Sequence, residues 1–334
     1  MTRDGALLST YDAVLLDLDG TVYHGARPIA GVAESVRDLR EHGTVVRYVT
    51  NNASKAPRDV ADTLRGMDID AEADEVSTSA QAAAKILGER VASGKQVVVV
   101  GAPALMDEVS AVGLEPVRET GDDVAAVVQG HWPETGWHNL AEACLAIRAG
   151  ALWVACNVDT TLPTERGQLP GNGAMVAALR TATGVEPVVA GKPAAPLLHT
   201  AVASAKAEKA LVVGDRLDTD IAGAVEAGLD SLLVLTGVAT PASVLRATPA
   251  ERPTYLAEDL RGLSGDIDDL VIGPQKGWHV ETTGGTLVVS GSGDAYGLLR
   301  ALCHVAWETG LTAVHGEDNA ARAALAGLGL TEPA

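Results

Sequence analysis

Apolar runs that alternate with mixed stretches along the first 60 residues predict an α/β fold. The apolar run that reaches Leu16 is typical of a buried strand. A helical pattern follows from Pro28 to His42, with Gly43 as its stop, and residues 44–52 have the pattern of a second strand. Because only one helix fits between these strands, we expect a βαβ unit with a parallel sheet.

The pattern restarts near Val76 and predicts a second α/β unit that extends to about residue 185. We interpret this unit as a domain inserted into the first. Its expected elements are a helix near Ser79–Leu87, strand Val97–Val100, a helix near Ala104–Val112, strand Val124–Val128, helix Asn139–Ala149 and strand Leu152–Ala155.

The first pattern resumes at Val188, and a third region starts at about residue 265. The resumed part contains expected strands at Ala210–Gly214, Ser231–Leu235 and Tyr255–Ala257. The third region is expected to contain strands Trp278–Thr282 and Thr286–Ser290 joined at Gly284-Gly285, helix Leu298–Glu308, strand Leu311–His315 and a helix from Asp318 to Leu330.

Composition and charge narrow the possible partners. The chain has 334 residues, is 47% hydrophobic, and carries a formal net charge of -19, which argues against binding to nucleic acid or an acidic membrane. No apolar run has the length of a membrane span, no signal peptide is evident, and three cysteines without metal-like spacing suit a reducing cytoplasm. An anionic substrate would therefore need local positive potential from a metal, a lysine or backbone N–H groups.

Asp17 and Asp19 are the first candidates for chemistry. They follow a buried strand two residues apart, so both point to one face where the strand ends. Two carboxylates this close need a cation or a shared proton, and ligands of parallel sheets sit at this edge. A hard divalent cation is the first hypothesis. The alternative, a surface turn at Asp19-Gly20, explains the glycine but not two acids at the end of a buried strand.

Three later segments also place polar groups at strand ends. Thr50-Asn51-Asn52 follows the second strand, although a turn or helix cap fits it locally. Lys192 follows a glycine at the end of an apolar segment, from which it can reach into a cleft. The alternative is an ordinary lysine exposed to solvent. Asp215 closes another apolar strand, Asp218 could cap the next helix, and Asp220 lies in that helix's first turn.

Four segments, in their order along the chain, resemble the four motifs of the haloacid-dehalogenase-like (HAD) superfamily. They are Asp17-x-Asp19-Gly20-Thr21, Val49-Thr50-Asn51-Asn52, Gly191-Lys192-Pro193 and Gly214-Asp215-x-x-x-Thr219-Asp220. The finer resemblance is to its NagD-like branch of small-molecule phosphatases, whose large α/β cap follows the second motif. It implies a Rossmann-like parallel-sheet HAD core at residues 1–77 and 186–263, an inserted α/β cap domain at 78–185, and a small C-terminal α/β appendage at 264–334.

The resemblance implies that Asp17 is the nucleophile that forms an aspartyl-phosphate and that Asp19 is the general acid and base. It implies Mg²⁺ held by Asp17, the backbone carbonyl of Asp19, and Asp215, with Asp220 assisting directly or through water. Asp19 favours a phosphatase or phosphomutase over a dehalogenase. The phosphoryl oxygens would be bound by Gly20, Thr50, Asn51 and Lys192, and the substrate would contact Asn157, Asp159, Pro163 and Asn172 of the cap.

The C-terminal region resembles part of a GCN5-related N-acetyltransferase (GNAT) domain, on the segment from Asp318 to Leu330 with its closing Leu328-Gly329-Leu330. No convincing acetyl-CoA pyrophosphate loop is present in the sequence, so we favour a structural or regulatory appendage that packs on the phosphatase or on another subunit.

The leading interpretation is a cytoplasmic, Mg²⁺-dependent phosphatase of small phosphomonoesters, with glycerol 3-phosphate as the best candidate. Phosphoglycolate, pyridoxal phosphate and nucleoside monophosphates are alternative substrates. A phosphomutase, or an acetyl-CoA-sensing protein that acts through the tail, are the alternatives of another class. The NagD-like resemblance also suggests a homodimer.

Overall fold

The computed structural model describes residues 6–164 and 166–330. Its strands are β1 (Ala13–Leu16), β2 (Tyr23–His24), β3 (Arg27–Pro28), β4 (Val45–Thr50), β5 (Val76–Thr78), β6 (Gln96–Val100), β7 (Glu115–Val117), β8 (Val124–Gln129), β9 (Leu152–Ala155), β10 (Thr161–Thr164), β11 (Gly167–Pro170), β12 (Val188–Val189), β13 (Ala210–Gly214), β14 (Asp230–Val234), β15 (Tyr255–Ala257), β16 (Trp278–Thr283), β17 (Thr286–Gly291) and β18 (Val314–Gly316).

The helices, numbered in the same way, are α1 (Val32–Glu41), α2 (Pro57–Arg65), α3 (Ser79–Arg90), α4 (Pro103–Ala111), α5 (Trp137–Arg148), α6 (Asn172–Thr183), α7 (Pro196–Ala205), α8 (Ala222–Ala227), α9 (Pro241–Leu245), α10 (Ile267–Leu270), α11 (Ala295–Thr309) and α12 (Asn319–Gly327). Among the described residues, no helix combines the length and apolar character that crossing a membrane requires.

The chain divides into two compact units. The first contains the described residues up to Val46 and from Ala205 onward, and the second is Arg47–Ser204. The second unit is therefore inserted in the sequence of the first.

A parallel sheet organises the first unit. Strands β15, β14, β13 and β1 lie side by side in that order, with Leu16 of β1 opposite Val213 of β13. Both β1 and β13 are buried along their whole length, as expected for strands with continuous apolar runs in a covered parallel sheet. This register brings the residues that follow β1 and β13 to the same edge of the sheet.

The C-terminal region belongs to the first unit and shares its apolar core. Strands β16 and β17 form an antiparallel hairpin around Gly284-Gly285, as predicted, and β18 adds to β17 in parallel. Leu298 and Leu302 of α11 lie in one buried cluster with Leu233 of β14 and Leu256 of β15. Apolar residues of α11 are thus covered by β14 and β15 of the same unit.

The second unit contains its own parallel sheet, in the order β12-β9-β8-β6-β7. One face of this sheet packs under α5 and α6 in a core that includes Val127, Ala146, Trp153 and Leu179. In the same unit β4 pairs with β5 in parallel, and β10 and β11 form an antiparallel hairpin.

Some predicted boundaries were wrong. The helix expected from Pro28 begins at Val32, because Arg27–Pro28 pairs with Tyr23–His24 as the β2–β3 hairpin. The strand expected from Leu311 begins at Val314. The helix after Asp215 starts with a π-helical turn, Leu217–Ile221, before α8.

Candidate active site

Three carboxylates converge at the edge of the first unit's parallel sheet. Asp17 directly follows β1, Asp215 directly follows β13, and Asp220 lies in the π-helical turn. One carboxylate oxygen from each lies within 4.8 Å of the others, and Asp215 and Asp220 are buried. Oxygen donors that converge in this way form the ligand set preferred by Mg²⁺, so these residues fit the predicted cation. The carboxylate of Asp19 is not part of this group.

Two backbone N–H groups and one side-chain hydroxyl fix the orientation of the two buried carboxylates. The N–H of Val238 donates to Oδ2 of Asp215 at 2.7 Å, and the Thr21 hydroxyl donates to Oδ1 at 3.4 Å. The N–H of Arg216 donates to Oδ2 of Asp220 at 3.1 Å. The carboxylates are therefore held in place before any cation binds.

Asp218, the other acid in this turn, has different surroundings. Its carboxylate pairs with the Arg216 side chain at 2.7 Å, and the hydrogen bond to Arg216 lowers the pKa of Asp218. Asp218 is exposed and does not join the three converging carboxylates.

Two glycines give Asp215 the space that it occupies. A Cβ at Gly20 would lie 2.5 Å from Oδ2 of Asp215, and a Cβ at Gly237 would lie 2.0 Å from the same oxygen. Gly20 also has a φ of +90°, which a side chain would disfavour, and its carbonyl accepts from the Thr236 hydroxyl at 2.6 Å. The resemblance predicts phosphate binding for Gly20, and in the structure its lack of a side chain leaves room for the Asp215 carboxylate. Gly237 was missed, because nothing in the sequence shows that the loop after β14 passes this carboxylate.

Tyr23, like Gly237, lies at the site although the sequence did not predict it as a site residue. Its backbone carbonyl accepts from the N–H of Gly20 at 2.8 Å, which closes the loop that carries Asp19. Burial, followed by the negative charges of Asp19 and Asp17, raises the pKa of Tyr23. The phenol therefore stays protonated beside these carboxylates. The only signal for it in the sequence is its place at the end of Asp17-x-Asp19-Gly20-Thr21-x-Tyr23.

The second unit joins two of the predicted phosphate-binding segments. The amide Nδ2 of Asn51 donates to the carbonyl of Lys192 at 2.9 Å, and Oδ1 of Asn51 accepts from the N–H of Lys192 at 2.9 Å. Thr50 ends β4, and its hydroxyl oxygen accepts from the N–H of Asn52 at 3.1 Å. Lys192 is only 2% exposed, and its ammonium donates to the carbonyl of Val49 at 3.4 Å.

The predicted cap residues lie beside Asn51 in the same unit. Asn157 and Asn172 are buried, and their amides donate at 2.7 Å to the carbonyls of Asn51 and Asn157, respectively. Asp159 accepts from Nδ2 of Asn51 at 3.3 Å. Pro163 lies in β10, and its side chain is outside the described part of the chain.

The two glycines that flank Asn172 are required by close backbone contacts. A Cβ at Gly171 would lie 2.3 Å from the carbonyl oxygen of Asp159, and a Cβ at Gly173 would lie 2.1 Å from that of Val158. The N–H of Gly173 donates to the carbonyl of Asp159 at 2.8 Å. The start of α6 therefore packs closely against the segment that follows β9.

Family models match three parts of the chain. Residues 14–115 match the haloacid dehalogenase-like hydrolases, residues 189–263 match a HAD-hydrolase-like family, and residues 275–330 match a GCN5-related N-acetyltransferase-like domain. The D-glycerol 3-phosphate phosphatase of Mycobacterium tuberculosis is 48% identical over 336 residues, which cover 96% of this chain and 94% of the relative. This chain belongs to the haloacid dehalogenase-like hydrolases.

Solved structures and a shorter relative agree with this assignment. The crystal structure of glycerol phosphate phosphatase from Mycobacterium tuberculosis in complex with magnesium has a TM-score of 0.94 to this hydrolase at 50% identity, with coverage of 98% and 99% of the two chains. A calcium complex of the same protein also has a TM-score of 0.94. The 5′-nucleotidase YutF of Bacillus subtilis is 37% identical, with coverage of 76% of this chain and 97% of the relative.

The comparisons confirm several predictions for this hydrolase. The Rossmann-like HAD core, the second α/β sheet and the GNAT-like C-terminal region are confirmed. The predicted enzyme class, a metal-dependent phosphoric monoester hydrolase that uses Mg²⁺, is also confirmed.

Proposed function

We propose that this hydrolase releases inorganic phosphate from glycerol 3-phosphate through an aspartyl-phosphate intermediate on Asp17. The observation that carries the proposal is the convergence of the Asp17, Asp215 and Asp220 carboxylates at the end of two parallel strands. The substrate is inferred from the D-glycerol 3-phosphate phosphatase that is 48% identical over 96% of the chain.

The cation would be held by Asp17, the backbone carbonyl of Asp19, Asp215 and Asp220. When bound, Mg²⁺ would offset negative charge on the phosphoryl oxygens. The restraint of Asp215 by Val238 and of Asp220 by the backbone of Arg216 supports this assignment, because ligands held in place lose little freedom on binding.

The chemistry needs two acids in different roles. A carboxylate oxygen of Asp17 attacks phosphorus, and the bond from phosphorus to the ester oxygen breaks as Asp19 gives that oxygen a proton. Asp19 then removes a proton from water as the water attacks the aspartyl-phosphate. The second step releases phosphate and restores both carboxyl groups to their starting states.

Thr50, Asn51 and Lys192 are assigned to the phosphoryl oxygens, together with the backbone N–H groups near Asp19 and Gly20. Lys192 would supply local positive charge in a chain whose net charge is -19, and the paired hydrogen bonds from Asn51 fix its main chain. For the cap, the observed bonds favour Asn157 and Asn172 as positioning residues and leave Asp159 and Pro163 as candidates for substrate contact.

The test is phosphate release by the purified chain with Mg²⁺ across glycerol 3-phosphate, phosphoglycolate, pyridoxal phosphate and a nucleoside monophosphate. We expect Asp17→Asn and EDTA each to abolish release. Asp218→Asn is the control, because Asp218 lies in the same acidic segment outside the carboxylate cluster. Release by Asp17→Asn at the unmodified rate would disprove the mechanism, and movement of phosphate within the substrate without release would favour the phosphomutase.

The remaining assignments are a homodimer in the cytoplasm and three domains: a core at residues 1–77 and 186–263, a cap at 78–185 and a GNAT-like region at 264–334. Cys144, Cys156 and Cys303 are free thiols, which suits a reducing compartment. Light scattering after size-exclusion chromatography tests the dimer, and a monomer mass would exclude it. Calorimetry with acetyl-CoA tests the alternative role of the tail, since binding would favour a sensor.

A further inference from the structure

The loop that follows β14 contacts two parts of the candidate active site. The N–H of Val238 donates to Oδ2 of Asp215 at 2.7 Å, so this end of the loop holds a proposed cation ligand. The hydroxyl of Thr236 donates to the carbonyl of Gly20 at 2.6 Å. Because Gly20 directly follows Asp19, the other end of the loop holds the segment that carries the proposed general acid.

Gly20 is the residue through which Thr236 can act on Asp19. It has no side chain to limit rotation about its own backbone bonds, and its φ of +90° is a conformation that other residues disfavour. Peptide groups are planar, so rotation at Gly20 moves each neighbouring peptide group as a whole. The position of Asp19 therefore depends on what restrains the two peptide groups that flank Gly20.

These two peptide groups are held from different sides. The N–H of Gly20 donates to the carbonyl of Tyr23 at 2.8 Å, which restrains the first group. In the second group, the N–H of Thr21 donates to the carbonyl of Leu18 at 3.3 Å, which is longer than usual for such a bond. The short bond from Thr236 to the carbonyl of Gly20 is thus the stronger of these two restraints on the second group.

The surroundings of Asp19 make its backbone important. Leu18 and Gly20 are buried on either side of it, whereas Asp19 itself is exposed. Packing positions an exposed side chain less firmly than a buried one, so the backbone has the larger part in placing this carboxyl group. Misplacement of a reacting group by about 1 Å can lower a rate about 100-fold.

We propose that Thr236 is a positioning residue for phosphate release. Its hydroxyl holds the second peptide group of Gly20, which keeps the backbone carbonyl of Asp19 available as a cation ligand and the carboxyl group of Asp19 in place as the general acid. This inference rests on the proposed function, from which the two roles of Asp19 are taken. Thr236 acts through Gly20 and transfers no proton itself.

The hydroxyl of Thr236 can be removed without releasing the loop. The N–H of Ala239 donates to the backbone carbonyl of Asp215 at 2.9 Å, and the N–H of Val238 donates to the side chain of the same residue. Both bonds come from the main chain and remain when the side chain at position 236 changes. Thr236→Val, which keeps the shape of threonine and lacks the donor, therefore tests the hydroxyl alone.

The first measurement is Mg²⁺ binding to the full chain by calorimetry. We expect Thr236→Val to bind Mg²⁺ about tenfold more weakly than the unmodified chain, as when a residue that orients a metal ligand is lost. Thr236→Ser keeps the hydroxyl and should stay within about twofold. Thr309→Val is the matched control, because it loses a hydroxyl bond to the carbonyl of Val305 at 2.8 Å in α11, and it should bind Mg²⁺ normally.

The second measurement compares two substrates at saturating Mg²⁺. The glycerol oxygen of glycerol 3-phosphate needs a proton from Asp19 as it leaves, whereas nitrophenolate is a stable anion that leaves without one. In Thr236→Val, we expect kcat/KM to fall at least about tenfold for glycerol 3-phosphate and by no more than about threefold for nitrophenyl phosphate. A defect that only loosened the fold would lower both values equally.

Unchanged Mg²⁺ affinity in Thr236→Val, or an equal loss in Thr236→Ser, would overturn the proposal. Equal falls in kcat/KM for the two substrates would overturn it as well. Failure of the proposed function would look different, because the unmodified chain would then release no phosphate from glycerol 3-phosphate. The Mg²⁺ affinities of the variants would still decide whether Thr236 positions a cation ligand.

Discussion

Asn51 holds the main chain of Lys192 with both ends of its side-chain amide, through two hydrogen bonds of 2.9 Å across 141 residues of sequence. The amide donates to the carbonyl and accepts from the N–H of the same residue. This arrangement needs a group that is donor and acceptor at once, which a carboxylate or a hydrocarbon cannot provide.

Replacement of Asn51 by Asp should therefore disrupt this segment. The new carboxylate would face the carbonyl of Lys192 and the carboxylate of Asp159 without the donor that now bonds both. We expect a fall of about 10- to 1000-fold in kcat/KM for phosphate release and a loss of about 1–3 kcal/mol in the free energy of unfolding. Steady-state kinetics and urea unfolding measure the two effects.

Asn52→Asp is the matched control for that variant. Oδ1 of Asn52 accepts from the N–H of Ser54 at 2.7 Å, a bond that a carboxylate also accepts. The control should stay within about twofold of the unmodified rate, which corresponds to about 0.4 kcal/mol. Equal losses in Asn51→Asp and Asn52→Asp would show that added charge, and not the paired bond to Lys192, causes the defect.

Gly237→Ala should weaken cation binding without changing any proposed ligand. The added Cβ would lie 2.0 Å from Oδ2 of Asp215, so the carboxylate or the loop has to move. We expect at least a tenfold loss of Mg²⁺ affinity in calorimetry, comparable to the loss of a residue that orients a metal ligand. At Gly273, a Cβ meets nothing within 4 Å, so Gly273→Ala should retain the original affinity. Unchanged Mg²⁺ binding by Gly237→Ala would argue against Asp215 as a ligand.

The buried Tyr11 should make stability fall in alkaline solution. Its hydroxyl donates to Oδ2 of Asp230 at 2.7 Å, and its pKa is raised by burial first and then by the contacts with Tyr255 and Asp230. The folded state therefore retains a proton that the unfolded state loses near pH 10, so the stabilisation is complete below about pH 10 and is lost as the pH rises further.

Urea unfolding between about pH 9 and 11 tests this dependence. The free energy of unfolding of the unmodified chain should fall more steeply with pH than that of Tyr11→Phe, which has no proton to lose. Parallel pH profiles for the two proteins would exclude Tyr11 as a source of the alkaline loss.

Leu302→Ala should destabilise the sheet region as well as the C-terminal region. Leu302 is fully buried in the cluster that also contains Leu233 and Leu256, so a cavity there should cost about 2–5 kcal/mol. In calorimetry we expect the unit to unfold in one transition, at a lower temperature in Leu302→Ala than in the unmodified chain. Val225→Ala, at a partly exposed site, should shift this temperature little. Separate transitions, of which Leu302→Ala lowers only one, would contradict a shared core.

The sequence was sufficient for the parts of the site that lie at strand ends. Buried parallel strands leave continuous apolar runs, so the positions of Asp17 and Asp215 could be predicted from where those runs stop. Their proximity then followed from the geometry of a parallel sheet. The start of α1 at Val32 could not be found in the same way, since the short β2–β3 hairpin leaves only two paired residues in each strand.

Contacts between distant loops could not be predicted. The approach of Gly237 to Asp215 depends on the path of a loop, and glycine is common in loops because tight turns favour it. Likewise, Gln129 follows five residues of a strand pattern in which it looks like an ordinary polar end. Its complete burial becomes visible only when the neighbouring elements of the second unit are packed around it.

The shared core of the C-terminal region has a consequence for any truncation of this chain. The two hydrolase models end by residue 263, and YutF is matched over 97% of its length by 76% of this chain, so related enzymes complete their fold with less sequence. Here Leu233 and Leu256 pack against α11. Deletion of the C-terminal region would expose this apolar surface to water. The region is therefore part of the fold of this chain, and truncation to the length of YutF would call for polar substitutions on that surface.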